Sequence, residues 1–411
     1  MSQPHFDVEA PLKYPQEPTG RWTKDDFERF MIWSTALGTS DVFIQNDDPI
    51  CIDLHGRKKW VTTRPLSKSE VTDIVVHIYG SDAALGRLLA KDPIDPQFSI
   101  RVNREETLPF RVNVTACQVR FQTGFSITIR TISRVPPALE NMNFPDHLLQ
   151  GFFPKEGLTA VAGPTGSGKS TLIAALIAHK MADPDANSCF RLYEHPIEYT
   201  FDTCPRPSSV FSHSQIGEHL TSWGEAARNA LRRAPQIIYM GEMRDFETIA
   251  ESIKASMTGH FVLGTVHAKS VANIPTRMVG VFPGAERAST LMDLSEAFQT
   301  LICQRLVPSL DGRRVPIREY LRFNEDLRKD LARVNTDKIT DYMTDVVAAC
   351  GQTFEQDLTR VLNQGLISEK VFLDHMESIT GYRRATSLMG GQSTEAALEK
   401  FALELSSDRR L

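Results

Sequence analysis

The amino-acid sequence predicts an α/β chain built from two folded units, with a helical extension at the C-terminal end. Three observations carry that prediction. A phosphate-loop pattern, Gly163-Pro164-Thr165-Gly166-Ser167-Gly168-Lys169-Ser170, lies between a β-prone run and a helical run. Before residue 132 apolar residues alternate as in half-buried strands, whereas beyond residue 147 strands alternate with helices as in a parallel sheet. Between the two patterns stand Pro136, Pro137 and Pro145, a composition that reads as a semi-rigid linker. The expected organisation is a disordered N-terminus (1–20), an α+β domain (21–132), a linker (133–146), an α/β domain (147–325), a helical region (326–383) and a flexible tail (384–411).

The elements follow from local chemistry. Thr23-Lys24-Asp25-Asp26 reads as a capping box, and Phe27, Phe30, Met31 and Leu37 give the next helix an apolar stripe that Gly38 ends. Short β-prone runs occupy Asp41–Gln45, Ile50–Leu54 and Lys58–Thr63, the last two joined by His55-Gly56-Arg57 as a hairpin. Ser67-Lys68-Ser69-Glu70 is a second capping box, opening a helix that carries Val71, Ile74, Val75 and Ile78 on one face. Phe110, Val112 and Val114, then Phe125, Ile127 and Ile129, alternate as two further strands. Beyond Asn324, Leu327, Leu331 and Val334, then Tyr342, Val346 and Val347, mark amphipathic helices, and Phe354–Gly365 continues in that style. Gly390-Gly391 marks the tail, in which Ala396–Leu405 has the spacing of one more helix.

A chain of 411 residues, 41% of them apolar, is enough for two or three domains with ordinary cores. A net charge of −5 argues against a protein whose main business is coating nucleic acid. Six cysteines are scattered without a Cys-x-x-Cys pair, which speaks for reduced thiols rather than a zinc site or disulfide framework. No apolar run approaches the ~18 residues of a membrane span, and the first residues lack signal-peptide character. Work at a membrane would then proceed from the cytosolic side, through partners and without direct insertion.

The phosphate loop binds a nucleoside triphosphate. Its glycines free the backbone to aim successive N–H groups at the phosphates, Lys169 reaches the β- and γ-phosphates, and Ser170, next to Thr171, is placed to ligate Mg²⁺. Four further stretches bear on the chemistry. Glu194 and Glu198, four residues apart after an expected strand, are carboxylates suited to holding Mg²⁺ or an attacking water, or else a solvated acidic turn. The apolar run Ile237–Met240 ends in Gly241-Glu242 like a Walker B element, with Glu242 as the water-activating base. His260 and His267 bracket the run Phe261–Val266; His267 is the candidate donor to the γ-phosphate and His260 the structural one. The last is basic: Arg228, Arg232 and Arg233 on one expected helix, and Arg111, Arg120 and Arg130 on strands of the first domain, where arginines suit either charge stabilisation in a neighbour's site or ordinary surface pairing.

Taken together, these stretches resemble the PilT-like secretion ATPases, most closely the DotB/TraJ type of type IVB secretion and conjugative transfer. The resemblance rests on Ser40–Gln45, Phe110–Asn113, Gly163–Ser170, Tyr193–Tyr199 (the "Asp box"), Gly241–Asp245, Thr258–His267 (the "His box"), Ala230–Arg233 and Gln304–Pro308, and it spans about residues 23–380. It implies a PAS-like N-terminal domain, a RecA-like ATPase core, a homo-hexameric ring, and ATP held between the domains with Arg111 and Arg120 approaching the phosphates. One departure is plain: the Asp box usually reads Glu-Asp-Pro-Ile-Glu, and His195 replaces the Asp. The Ala-Ile-Arg-Asn-type motif of pilus-retraction members is missing, which favours secretion or conjugation.

The expected function is that of an ATP-hydrolysing motor of a secretion or conjugation machine, cytoplasmic and peripheral to the inner membrane through partner proteins. In it Lys169 neutralises the γ-phosphate, Ser170 and Glu198 hold Mg²⁺, Glu242 activates water, His267 senses the γ-phosphate, and hydrolysis reorients the two domains. The alternatives are a RecA-like DNA translocase or helicase, disfavoured by the acidic charge; a pilus retraction motor; and an adaptor that binds ATP without turning it over.

Overall fold

The computed structural model describes residues 12–380 apart from 55–56, 105 and 133–134. The His55-Gly56 turn, residues 1–11 of the expected disordered N-terminus and the tail with its Ala396–Leu405 helix lie outside the described residues. A mixed α/β N-terminal domain is joined to a second α/β domain that carries helices after it.

In the first domain Thr23 caps α1 (Lys24–Ala36) in a reciprocal capping box with Asp26, burying Phe27, Phe30 and Met31. β1 (Asp41–Gln45), β2 (Cys51–Leu54) and β3 (Arg57–Trp60) pair antiparallel. Ser67 and Glu70 box the start of α2 (Lys68–Tyr79), which ends at Gly80 with φ 78°. α3 (Ala83–Leu89) and β4 (Gln97–Arg101) had no signal in the sequence reading; they lead into the long hairpin β5 (Thr107–Val119) and β6 (Gln122–Thr131). The sheet order is β3-β2-β1-β6-β5-β4. Phe110, Val112, Val114, Ile127 and Ile129 are fully buried in the domain core, so the strand alternation turns Arg111 and Arg130 outward, directly opposite one another.

The proline-rich stretch is docked rather than free. Residues Leu139–Met142 form a 3₁₀ turn, α4 (Asp146–Leu149) follows, and Leu139, Phe144 and Leu148 are buried in the core of the second domain.

That second domain runs β7 (Gly157–Ala162), α5 (Lys169–Ala182), β8 (Cys189–Glu194), β9 (Val210–Gln215), α6 (Trp223–Ala230), β10 (Ile237–Met240), α7 (Phe246–Ser256), β11 (Phe261–Val266), α8 (Asn273–Val279), α9 (Arg287–Ala297), β12 (Phe298–Pro308) and β13 (Arg314–Arg322). The order β13-β12-β7-β11-β10-β8-β9 is parallel except for the β12–β13 hairpin. Every residue of β7 and β11 is buried, as central strands covered on both faces require. α10 (Glu325–Leu331), α11 (Ile339–Cys350), α12 (Phe354–Asn363) and α13 (Glu369–Thr380) extend the same core beside the β12–β13 edge. One expectation is corrected. α6 ends at Ala230, so Arg232 and Arg233 fall in the turn before Pro235, whose ring disfavours helix in the residue preceding it, and only Arg228 is helical.

Candidate active site

The loop after β7 issues from the interior of the sheet, between the ends of β11 and β12. Gly163 has φ 146°, and a Cβ there would stand 2.3 Å from the backbone oxygen of Gln304, so no side chain fits. Gly166 and Gly168 also have positive φ, which folds the loop back before α5 begins at Lys169. The N-terminus of α5 therefore points its free N–H groups into the loop, where an anion is favoured. Lys169 Nζ donates to the carbonyls of Gly163 (2.9 Å) and Pro164 (3.0 Å). Burial pulls its ammonium below the ordinary lysine value, against the opposing pull of nearby groups that include the Glu198 and Glu242 carboxylates. Ser170 and Thr171 follow on the first turn, and Thr171 Oγ1 lies 3.0 Å from the Tyr199 hydroxyl.

Above the loop opens a cleft of about 630 Å³ whose lining includes residues 165–171, the acid loop Glu194–Tyr199, Gly241, Glu242 and His267. Sheet register explains the convergence. β8, β10 and β11 are parallel neighbours, so the residues after their C-terminal ends meet at one rim. The two acids expected of the acid loop have different settings. Glu194 is buried, accepting from His213 Nε2 at 2.7 Å and from the Tyr239 hydroxyl at 3.3 Å. Glu198 is exposed at the cleft. Its carboxylate and the Ser170 hydroxyl are hard oxygen donors beside the phosphate loop, a set that fits Mg²⁺ completed by phosphate and water. Glu242 keeps a side chain 26% exposed, 3.6 Å from His267 Nε2 and 3.6 Å from Arg244. His195, where the resemblance expects an Asp, donates from Nδ1 to the Ile216 carbonyl at 2.8 Å and so ties the acid loop to the segment after β9. His260 sits before β11 with Nδ1 3.2 Å from the Ala255 carbonyl and does not line the cleft.

The opposite wall belongs to the N-terminal domain. Arg111 and Arg130 line the cleft. Arg130 Nε donates to Asp41 at 2.8 Å, while Arg111, which is exposed, has no side-chain hydrogen bond among the described residues. Arg120 is placed elsewhere. It occupies the two-residue turn between β5 and β6 at φ 44°, with Nε 3.5 Å from Asp47, and does not line the cleft of its own chain. Alternation foretells this outcome, since the residues flanked by Phe110/Val112 and following Ile129 share the outward face and a residue in the turn belongs to neither strand. Sequence reasoning missed His213 and Tyr239, whose importance appears only through their bonds to Glu194, and Arg314, which enters the lining from the start of β13. Where β4 meets β9, Gln97 Nε2 donates to Gln215 Oε1, which also accepts the Ile197 N–H at 3.1 Å, so a bridge between the domains ends on the acid loop.

A sequence model of the type II/IV secretion system proteins matches residues 31–371. The chain belongs to that family. This secretion ATPase is similar in structure to the ATPase DotB of Legionella pneumophila, with 38% identity, a TM-score of 0.81, and coverage of 90% of this chain and 100% of that one. It is also similar to the pilus retraction motor PilT determined with bound ADP, at 28% identity, TM-score 0.74, 87% of this chain and 98% of that one. In sequence it is 29% identical over 384 residues to the type IV pilus ATPase PilU of Pseudomonas aeruginosa, 93% of this chain and 96% of that protein. The expected resemblance is borne out at the level of the family, and this secretion ATPase is an ATP-hydrolysing enzyme. Among the described residues no helix is long and apolar enough to cross a membrane.

Proposed function

We propose that this chain is the motor of a type IVB-like secretion or conjugation apparatus, working as a homo-hexameric ring against the cytoplasmic side of the inner membrane through partner proteins. One observation carries the reading: the cleft is closed by arginines of the N-terminal domain on one side and by the loop, acids and His267 of the ATPase core on the other. The 38% identity to DotB over 90% of the chain, against 28% to PilT, supports secretion over pilus retraction. The PAS-like character of the first domain and the RecA-like character of the second belong to the same reading.

The residues divide the work as follows. Lys169 leaves the Gly163 and Pro164 carbonyls for the β- and γ-phosphates, while the loop N–H groups hold the remaining oxygens. Ser170 and Glu198 would hold Mg²⁺, which when bound offsets phosphate charge. Glu242 takes the proton of the attacking water, and His267, 3.6 Å away, contacts the γ-phosphate. Glu194, held by His213 and Tyr239, fixes the floor of the acid loop. Arg111 and Arg130 stabilise charge on the transferred phosphoryl group from the other domain. Because they sit beyond the linker, loss of the γ-phosphate frees one domain to turn on the other.

The test is ATPase turnover beside particle mass for the wild type and Glu242→Gln, with and without DNA. A hexamer-sized particle whose turnover ignores DNA and vanishes in the variant is expected. DNA-stimulated turnover by a monomer or dimer would replace the secretion motor with a translocase.

A further inference from the structure

Arg318 lies in the middle of β13, paired in register with Gln304 on β12, and is 1% exposed. Burying a guanidinium is costly unless its donors are used, so the partners of a buried arginine report what it is there to hold. All of the guanidinium's hydrogen-bond acceptors are neutral. Nε donates to Gln304 Oε1 (2.8 Å), one terminal nitrogen to the Asn143 carbonyl (2.8 Å) and the other to the Met142 carbonyl (2.7 Å). The ring of Phe144 lies 5.5 Å from the guanidinium carbon. Three consecutive residues of the interdomain segment thus wrap one side chain.

Gln304 is itself fully buried and spends its other end on the phosphate loop, where Nε2 donates to the Ser167 carbonyl at 2.8 Å. A trans peptide is planar, with C=O and N–H pointing opposite ways. Anchoring the Ser167 carbonyl on Gln304 therefore turns the Gly168 N–H of the same peptide away from Gln304. On the remaining side, the Arg318 N–H donates to Asp357 on α12 at 2.7 Å and the Arg318 carbonyl accepts from Gln352 at 3.1 Å, so the backbone at 318 is held in place while its side chain reaches out.

We propose that Arg318 is a positioning residue for ATP turnover: it conveys the placement of the interdomain segment Met142–Phe144 through Gln304 to the Ser167–Gly168 peptide of the phosphate loop. This rests on the reading of Gly163–Ser170 as the ATP site. The guanidinium is a rigid planar fork, so carbonyls 142 and 143 cannot shift without turning it, and Gln304 has one orientation that satisfies both of its ends. A shift of this segment then alters the grip on nucleotide without any contact between the segment and ATP.

The experiment is a double-mutant cycle read by affinity for a fluorescent ATP analogue, with kcat and melting temperature measured beside it. Gln304→Met keeps the volume and breaks the relay at the loop; Phe144→Leu loosens it at the linker, remote from the phosphates. Affinity falls about tenfold in the first and about threefold in the second, and the double variant is no weaker than Gln304→Met alone. Arg318→Lys keeps the buried charge without the fork and matches Gln304→Met in affinity. Lys169→Ala, as control, loses binding; retained binding there would sink the assignment of the ATP site itself. With that control intact, two outcomes overturn the relay: unchanged affinity in Gln304→Met whatever its melting temperature, or losses in Phe144→Leu and Gln304→Met that multiply independently. Should Arg318→Lys fail to fold, the Phe144 and Gln304 pair still decides.

Discussion

The two walls of the cleft are built on opposite plans. On the ATPase side every group is braced by its own element: Lys169 opens a helix, Glu194 has two hydrogen-bond donors, and Glu242 follows a buried parallel strand. On the N-terminal side two arginines stand directly opposite each other on neighbouring antiparallel strands; Asp41, on the strand beyond Arg130, bonds Arg130 alone, and among the described residues no second acid is bonded to either. Like charges in cross-strand register repel, and because Asp41 offsets Arg130 but not Arg111, an anion in front of this wall is favoured. One wall is organised by its own hydrogen bonds; the other, in the function proposed above, is completed by nucleotide.

The predictions set that contrast at risk. Lys169→Ala should cut turnover by on the order of 10³-fold or more, seen in steady-state ATPase assays, because among the described residues no other lysine lines the cleft. Arg111→Ala should lower kcat about 10²-fold, and the melting temperature without nucleotide should hold or rise, because the repulsion is removed while the Arg130–Asp41 pair stays intact. A marked fall in that temperature would mean Arg111 supports the fold instead.

Within the N-terminal domain, burial disfavours the Glu70 carboxylate, yet hydrogen bonds from Arg64, Trp22 and Ser67 outweigh it and hold the group at about 2. A depressed carboxyl stabilises the fold fully above its unfolded value near 4.5 and loses that contribution as pH falls towards the folded one. Up to about 3 kcal/mol should disappear between those limits, followed by the fluorescence of the nearby Trp22, and Glu70→Gln should flatten the loss. His213→Leu, which strips the buried Glu194 of its 2.7 Å partner, should reduce turnover about tenfold. Arg120→Ala should leave the turnover within about twofold; a larger loss would show that the β5–β6 turn reaches a site on another copy of the chain.

What was legible in the sequence follows the same division. β7, β10 and β11 fall on the runs read as strands because central parallel strands must be apolar throughout, and the loop chemistry is contiguous. The capping boxes at Thr23 and Ser67 were legible because their geometry is local. β4 and β9 escaped notice. Both are edge strands, β9 with a single buried residue and β4 likewise, so neither has an apolar stripe to announce it. They are also the strands through which the domains touch, by way of Gln97 and Gln215. Arg130 and Arg120 could be told apart only by strand register, and the Glu194–His213 pair only by parallel neighbours nineteen positions apart in the chain. His195 in place of the usual acid makes sense once its bond to Ile216 is seen: the position anchors backbone rather than charge.

The backbone oxygen of Gln304 pressed against Gly163 has a consequence for how this loop can drift over generations. A Cβ at 163 would collide with main chain, which no neighbouring rotamer can relieve, whereas at Gly166 nothing lies within 4 Å and only the positive φ resists substitution. Two glycines of one motif are thus closed to mutation for unlike reasons. In a saturation library position 163 should return glycine alone, while position 166 should also admit asparagine and aspartate, the residues that bear a left-handed backbone most readily.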